Sequence, residues 1–551
     1  MKLYKRQYYL KKIREFYQNK ELIKILTGIR GCGKSCMMDM IMNELRWRGN
    51  AAVNLIHIDL DTKEFKNIKN AEKLRIAIKE KMVPSKEGTI YLFIDEIQMI
   101  DDFETLIETL YNEGRYSIFL SASSSYLMSD TFKDKFEDHY KVFEIFPLSY
   151  AEYEGMKDFM SMKKEENPLL EFVRYVYDGG LPKVLQCDNA QEKQKYVLSV
   201  LDEIFKKDIA KMEKIRHVVY FKQVQEYIID TFGESISMTR LTDYFRNYVR
   251  IPVKRETLER YLELLEKAKL VYRCNRFDIK TEKELQGEQR YYLTDLGFYF
   301  AKKTDSKIDY SLIMKNIIYM YLKSREYNVA VGRVGKRECD FVLSDIIDAD
   351  QLGVDLEEKP DSDVRTAEKK SRSTKSAKDN KVVAQAVAHN SINIPPKKEE
   401  KTDRAAEKSK AMSDMLAKYL NARMKKKDET ESREEVENTE AAEGLESRTA
   451  VETTVTVDTI EVADEIFDNA IEENVEVEAS QERETVLTNF RYIKFALSTA
   501  DPYREQVEYA ALDSIRDNYP KYMLTLDSKQ QEHTGILHLN AIEALKEERE
   551  F

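Results

Sequence analysis

Residues 27–35 read "TGIRGCGKS". Gly28, Gly33, Lys34 and Ser35 satisfy the pattern Gly-x4-Gly-Lys-Ser/Thr, and the setting supports the match: the apolar run "ELIKIL" enters the stretch and the helical run "KSCMMDMIMNELRWRG" leaves it. Glycines let successive backbone N–H groups curl round a phosphate, and the start of a helix adds partial positive charge. The stretch therefore predicts an ATP-binding loop formed by Gly28, Ile29, Arg30, Gly31, Cys32, Gly33, Lys34, Ser35 and Cys36. Lys34 would neutralise the β and γ oxygens, and Ser35 would ligate Mg2+.

Outward from the loop, strand and helix patterns alternate. "AVNLIHIDLD", "TIYLFIDEIQ", "YSIFLSAS" and "YKVFEIFPLS" read as strands, and "NAEKLRIAIKEKM" and "DDFETLIETLYNEG" as helices. Continuous apolar strands alternating with helices predict an α/β fold, a parallel sheet covered by helices. Asp95 ends the third strand, where a buried carboxylate is costly unless it meets a cation; Mg2+ is that cation. Glu96 follows and is placed to polarise an attacking water. The pair favours hydrolysis over binding alone. Ser121, or Ser123, at the end of the fourth strand is a candidate for reaching the γ-phosphate or the water.

Net charge is −11, but it is uneven. Residues 344–363 carry about −7, 364–427 about +11 and 428–484 about −18, leaving about +3 for the rest. Between Phe341 and Phe467 the sole aromatic residue is Tyr419. Such composition cannot bury enough surface to offset chain entropy, which predicts a mostly disordered insertion at 346–485, with a short helix around residues 411–427. The insertion is also a candidate surface for a protein partner. No apolar run approaches the ~20 residues of a membrane span, and no signal-peptide pattern opens the chain, so a cytoplasmic protein is expected. The five scattered cysteines form no disulfide or zinc framework.

The expected domains are a P-loop domain at 1–155, a helical linker at 156–205, a winged helix at 206–300 and a further α/β domain at 301–345 and 486–551. The winged helix rests on an amphipathic helix, 251–266, followed by strand-like "LVYRCNRFDI" and "QRYYLTDLGF" joined by polar "KTEKELQGE". Lys254, Arg255 and Arg260 would face phosphate or bases if this unit binds DNA; such units also serve as protein–protein modules. "ECDFVLS" and "RYIKFALS" read as neighbouring strands with the insertion in the loop between them, since loop closure cost rises only logarithmically with length. "KYMLTLD" reads as the last strand.

"RQYYLKKI", "IKILTGIRGCGKS", "YLFIDEIQ", "IFPLSYAEY", "GGLPKVL", "DEIFKKDIAK", "RYYLTDLGF", "ECDFVL" and "RYIKFAL" together resemble the prokaryotic AAA-type ATPases in which a P-loop domain precedes a C-terminal domain of unknown function. The resemblance implies a signal-transducing type of P-loop ATPase with a winged helix and a restriction-endonuclease-like C-terminal fold. Three departures lower the hydrolysis rate it implies. Gly31 stands where the family often has a second arginine. Ala122 stands within the sensor turn. His139 stands where an arginine finger is common, and a histidine holds no permanent charge at pH 7. A slow nucleotide switch is the expectation, with Arg30 or an arginine from a neighbouring subunit of an oligomer as substitute.

An endonuclease-like fold also implies a metal site. Glu338 and Asp340, two apart on one strand, share a face, and Lys494 lies on the adjacent strand. This second site is weak, because Tyr492 and Lys315 stand where acids would complete it. A relic, or salt bridges of Glu338 and Asp340 with Arg337 or Lys494, is favoured over an ATP-gated nuclease. A non-enzymatic ATP-binding scaffold is the remaining alternative.

Overall fold

The computed structural model describes residues 3–82, 88–123, 130–137, 139–251, 253–302, 309–348, 485–527 and 531–551. The expected short helix and residues 349–484 of the expected insertion lie outside them; its expected ends, 346–348 and 485, belong instead to two paired strands. The fold is mixed α/β, with two sheets among the described residues.

The first sheet has five parallel strands in the order β2 (Leu55–Asp59), β3 (Ile90–Asp95), β4 (Tyr116–Ala122), β1 (Ile23–Thr27), β5 (Tyr140–Glu144). β1, β4 and most of β3 are buried throughout, as expected of strands covered on both faces. One face, with Ile23, Ile25, Ile58, Leu92, Ile94 and Leu120, packs under the helices Ala71–Lys81 and Phe103–Asn112. The other face, with Leu26, Phe93, Phe119 and Phe143, packs on Gln7–Arg14 and Lys34–Trp47 and continues into the core of the following helices.

The second sheet has nine strands: β13 (Gln531–His533), β14 (Ile536–Asn540), β12 (Lys521–Thr525), β11 (Thr485–Phe495), β10 (Arg337–Asp348), β9 (Asn328–Val334), β7 (Val271–Asp278), β8 (Lys283–Leu293) and β6 (Ser235–Ile236). β10 and β11 are antiparallel neighbours, as the sequence predicts, and pair out to Asp348–Thr485, where the insertion leaves and returns. β7 pairs in parallel with β9, so one sheet crosses the expected boundary at 300–301. The helix Ala190–Glu203 runs on through a π-helical stretch, Ile204–Ile209, to Met212, so the expected boundary at 205–206 lies inside a continuous element.

Three readings need correction. The helix expected from Ile251 starts at Arg255, with Lys254 extended before it. β8 begins earlier and stops at Leu293. Thr294 and Asp295 leave the sheet because the Asp295 carboxylate accepts the N–H of Gly297, which opens the helix Gly297–Lys302, and the N–H of Gly180. β12 is not the last strand, since β13 and β14 follow it through a turn with Thr534 at φ 48° and Gly535 at φ 79°.

Lys24 points from β1 into the interior, where its ammonium donates to the carbonyls of Asn19 and Leu22 and to the Ser117 hydroxyl. Burial pulls it down to about 7, whereas an unfolded lysine holds its proton to about pH 10. Between those values the unfolded chain binds more protons, so Lys24 makes stability rise with pH from about 7 to 10. The prediction is that Lys24→Met flattens this part of the profile relative to the wild type, read by thermal denaturation at pH 7, 8 and 9.

Candidate functional site

The loop at 28–33 leaves β1 and enters the helix Lys34–Trp47. Gly28, Gly31 and Gly33 have φ of 142°, 83° and 104°, a region that disfavours side chains. A Cβ on Gly28 would lie 2.1 Å from the Ile145 carbonyl oxygen, so the loop closes against the end of β5 only with glycine there. The Lys34 ammonium is buried, donates to the carbonyls of Gly28 (3.0 Å) and Ile29 (3.3 Å), and lies 3.8 Å from Glu96. Ile29 and Cys32 turn their side chains into the core, while Cys36 is exposed on the first helical turn.

Asp95 and Glu96 stand beside this loop at the end of β3. Asp95 is fully buried; one carboxylate oxygen accepts the Ser121 hydroxyl, and the other, Oδ2, is buried with no hydrogen-bond partner. Burial, then the charge of Glu96, raise its carboxyl above the usual range against the pull of Ser121, Ser35 and Lys34. A buried orphan carboxylate oxygen near the Ser35 hydroxyl is a donor set that fits Mg2+, a hard cation that takes few protein ligands. Ser121 also accepts the backbone N–H of Glu96 (3.1 Å), so one hydroxyl fixes both acids.

Glu96 sits in the left-handed region, φ 57°, a costly conformation for a glutamate. Its carboxylate accepts from Arg30 (2.9 Å) and Gln98 (2.7 Å) and lies 3.2 Å from the Ser123 hydroxyl, whose single hydrogen is directed to the closer Asp208. Burial works to raise its pKa, but the charges of Lys34 and Arg30 outweigh burial and lower it. Arg30 is itself buried and makes a two-point contact with Asp208 (2.8 and 3.0 Å) on the π-helical stretch. Asp208 and Gln98 escaped the sequence reading. A lone acid in the basic run "FKKDIAK" follows no periodicity, and nothing local ties it to a loop 178 residues earlier. His139 lies at the far end of β5 from the loop, since the strand runs in register with β1 from Ile23–Tyr140 to Thr27–Glu144.

The second candidate cluster is arranged differently. Asp340 is buried and pairs with Lys315 (2.6 Å) and Lys494 (3.4 Å), and it accepts the Phe495 N–H. Those two lysines overcome burial and lower its pKa. Glu338 pairs with Arg290 instead, and Arg337, the other expected partner, bonds Ser514. Among the described residues no group of three or more His, Cys, Asp or Glu side chains is placed to hold a metal. Of the basic residues expected to face DNA, Arg255 pairs with Glu259 and Arg260 with Glu213, while Lys254 is exposed.

A family described as an AAA domain matches residues 20–154, and a domain of unknown function (DUF8612) matches 169–307. The chain is 27% identical over 338 residues to an uncharacterized protein of Haemophilus influenzae, covering 61% of this chain and 83% of that one. It is 25% identical over 333 residues to an uncharacterized protein of Methanocaldococcus jannaschii, covering 58% and 72%. Among solved structures it is similar to a Walker-type ATPase of Pyrococcus abyssi at 16% identity, with TM-score 0.40 over 54% of this chain and 95% of that chain. No described helix is long and apolar enough to cross a membrane.

Removing Asp340 would leave Lys315 and Lys494 beside each other without their shared counter-charge. Breaking a buried pair on one side costs about 3–5 kcal/mol. Asp340→Ala is expected to lower stability by that order, measured by urea denaturation, with Lys315→Met in the same background recovering part of the loss.

Proposed function

From the premise that this chain carries an AAA-type ATPase domain followed by a domain of unknown function, we propose that it binds ATP and hydrolyses it slowly with Mg2+, as a nucleotide switch. One observation carries the reading. Lys34, Ser35, Asp95, Glu96 and Ser121 gather at the C-terminal ends of β1, β3 and β4, where the glycine loop opens. The loop N–H groups would hold the phosphates, and Lys34 would turn from its own loop carbonyls to the β and γ oxygens. Ser35 and the free oxygen of Asp95 would hold Mg2+, which supplies charge neutralisation on the phosphates. Glu96 would accept a hydrogen bond from the attacking water. The water oxygen bonds to the γ-phosphorus, its proton passes through Glu96 to a phosphate oxygen, the bond to the bridging oxygen breaks, and ADP and phosphate leave.

The resting geometry supports a slow reaction. Glu96 is engaged by Arg30 and Gln98 and has a lowered pKa, so it is a weak base until those bonds are released. Lys34→Ala is expected to abolish nucleotide binding. Glu96→Gln is expected to keep binding and to cut phosphate release by about 100-fold or more. Steady-state phosphate release in the wild type no faster than in both variants would overturn hydrolysis at this site.

A second reading, contact with DNA, is favoured by a cleft lined by Lys214, Arg216, His217, Tyr220 and Lys254, with Arg260 beside them paired to Glu213. Cations interleaved with aromatic side chains suit a phosphate backbone. If it binds DNA, a fluorescent duplex should bind with an affinity that falls steeply with salt, and Arg216→Glu with Lys254→Glu should weaken binding at least tenfold. Equal binding by wild type and double variant would exclude this cleft.

A further inference from the structure

We propose that Asp208, contributed by the domain of unknown function, is a positioning residue that holds Arg30 of the phosphate loop and lets go when a γ-phosphate arrives, so that this domain distinguishes ATP from ADP. The proposal rests on the ATP reading of the loop and gives the second domain a part in it.

The geometry is a competition for one guanidinium. Arg30 donates through Nε and Nη2 to both carboxylate oxygens of Asp208, and the same Nη2 reaches Glu96 at 2.9 Å and Ser123 at 3.0 Å. Glu96 is in turn 3.8 Å from the Lys34 ammonium, which marks where the terminal phosphate would be neutralised. Arg30 therefore stands one carboxylate away from the γ-phosphate position. A γ-phosphate brings more negative charge than either acid and matches the planar fork of an arginine. ADP has no group at that position and leaves Arg30 with Asp208.

The consequence for the second domain follows from burial. Asp208 has no exposed side-chain surface, and Ser123 is its other hydrogen-bond partner. Without Arg30 it becomes a buried charge lacking its cation, which is strongly unfavourable in place. The π-helical stretch carrying it then gains by shifting. That stretch is also tied to the first domain by Lys207, which pairs with Asp61 on the loop after β2 at 2.8 Å, and it continues the helix Ala190–Glu203. That helix packs against Gly297–Lys302 at the end of the second domain's hairpin. Release of one ion pair thus bears on the element that joins the two domains. Coupling of this kind is reciprocal: whatever displaces the helix changes ATP affinity by the same factor.

The test is nucleotide selectivity. Fluorescently labelled ADP and a non-hydrolysable ATP analogue are titrated into the full chain. In Asp208→Asn the analogue competes with one carboxylate fewer for Arg30, the two-point contact of Asp208 being lost while Glu96 and Asp61 remain. Its affinity is expected to rise about tenfold, while ADP affinity stays within about twofold. Arg30→Met is expected to lower affinity for the analogue towards that for ADP. In that background Asp208→Asn is expected to add nothing, a non-additivity that marks direct coupling. The double variant replaces the buried pair by two neutral side chains, and its ADP binding reports that the fold is intact. Equal changes for ADP and the analogue, no change for either, or additive effects in the double variant would overturn the proposal. Wild-type protein that binds neither nucleotide would instead overturn the ATP reading beneath it.

Discussion

A carboxylate leaves water for a protein interior only with a cation or several donors to meet it. That constraint organises this molecule, because its buried acids join segments far apart in sequence. Arg6 reaches Glu152 and the carbonyl of Phe146, tying the start of the chain to the end of the first domain. Lys157 meets Glu171 across the junction that follows. Asp295 has no cation and is met by the N–H groups of Gly180 and Gly297, which leaves its carboxyl raised to about 6 by burial. Arg30 gathers Glu96 and Asp208. One hydrophobic core runs from the first sheet through the helices to the second, and these polar contacts join segments across it.

The second sheet shows a related economy. Its nine strands come from three stretches of chain: β6 to β8, then β9 and β10, then β11 to β14. The parallel pairing of β7 with β9 welds the hairpin after the helices to the C-terminal strands, so motion of the hairpin relative to those strands would break backbone hydrogen bonds. The long insertion enters and leaves at adjacent positions on β10 and β11. Its ends are already close in the folded protein, and the closure cost grows slowly with its length.

Much of this was legible in the sequence where the physics is local. Five strands of the first sheet, the glycine loop and Asp95 follow from apolar runs and turn chemistry. The adjacency of β10 and β11 follows from two similar apolar strands flanking a polar insert. The misses are nonlocal or two-faced. The first half of β8, "KELQGE", is polar and mostly exposed, so composition reads as a loop although the backbone pairs with β7. β14, "ILHLN", carries His538 and Asn540 at buried positions, whose polar atoms bond Thr525 and the Asp527 carbonyl, so its sequence does not read as a plain apolar strand. Asp208 is the sharpest case, since its partners Arg30 and Ser123 lie 178 and 85 residues away.

Two buried aspartates at strand positions make the final comparison. Asp340 has two lysines within reach and a lowered pKa, so its charge is already compensated from within. A divalent cation there would have to displace an ammonium and leave a lysine buried without its counter-charge. Asp95 has one oxygen held by Ser121, the other without a hydrogen-bond partner, and a raised pKa. Its nearest cation is Lys34, whose ammonium bonds its own loop carbonyls. The same residue type, buried to the same degree, is ion-paired with two lysines in one sheet and has no ion pair among the described residues in the other. An external cation would lower the energy of Asp95 and raise that of Asp340, so the two aspartates differ in how their charge is compensated and not in how deeply they are buried.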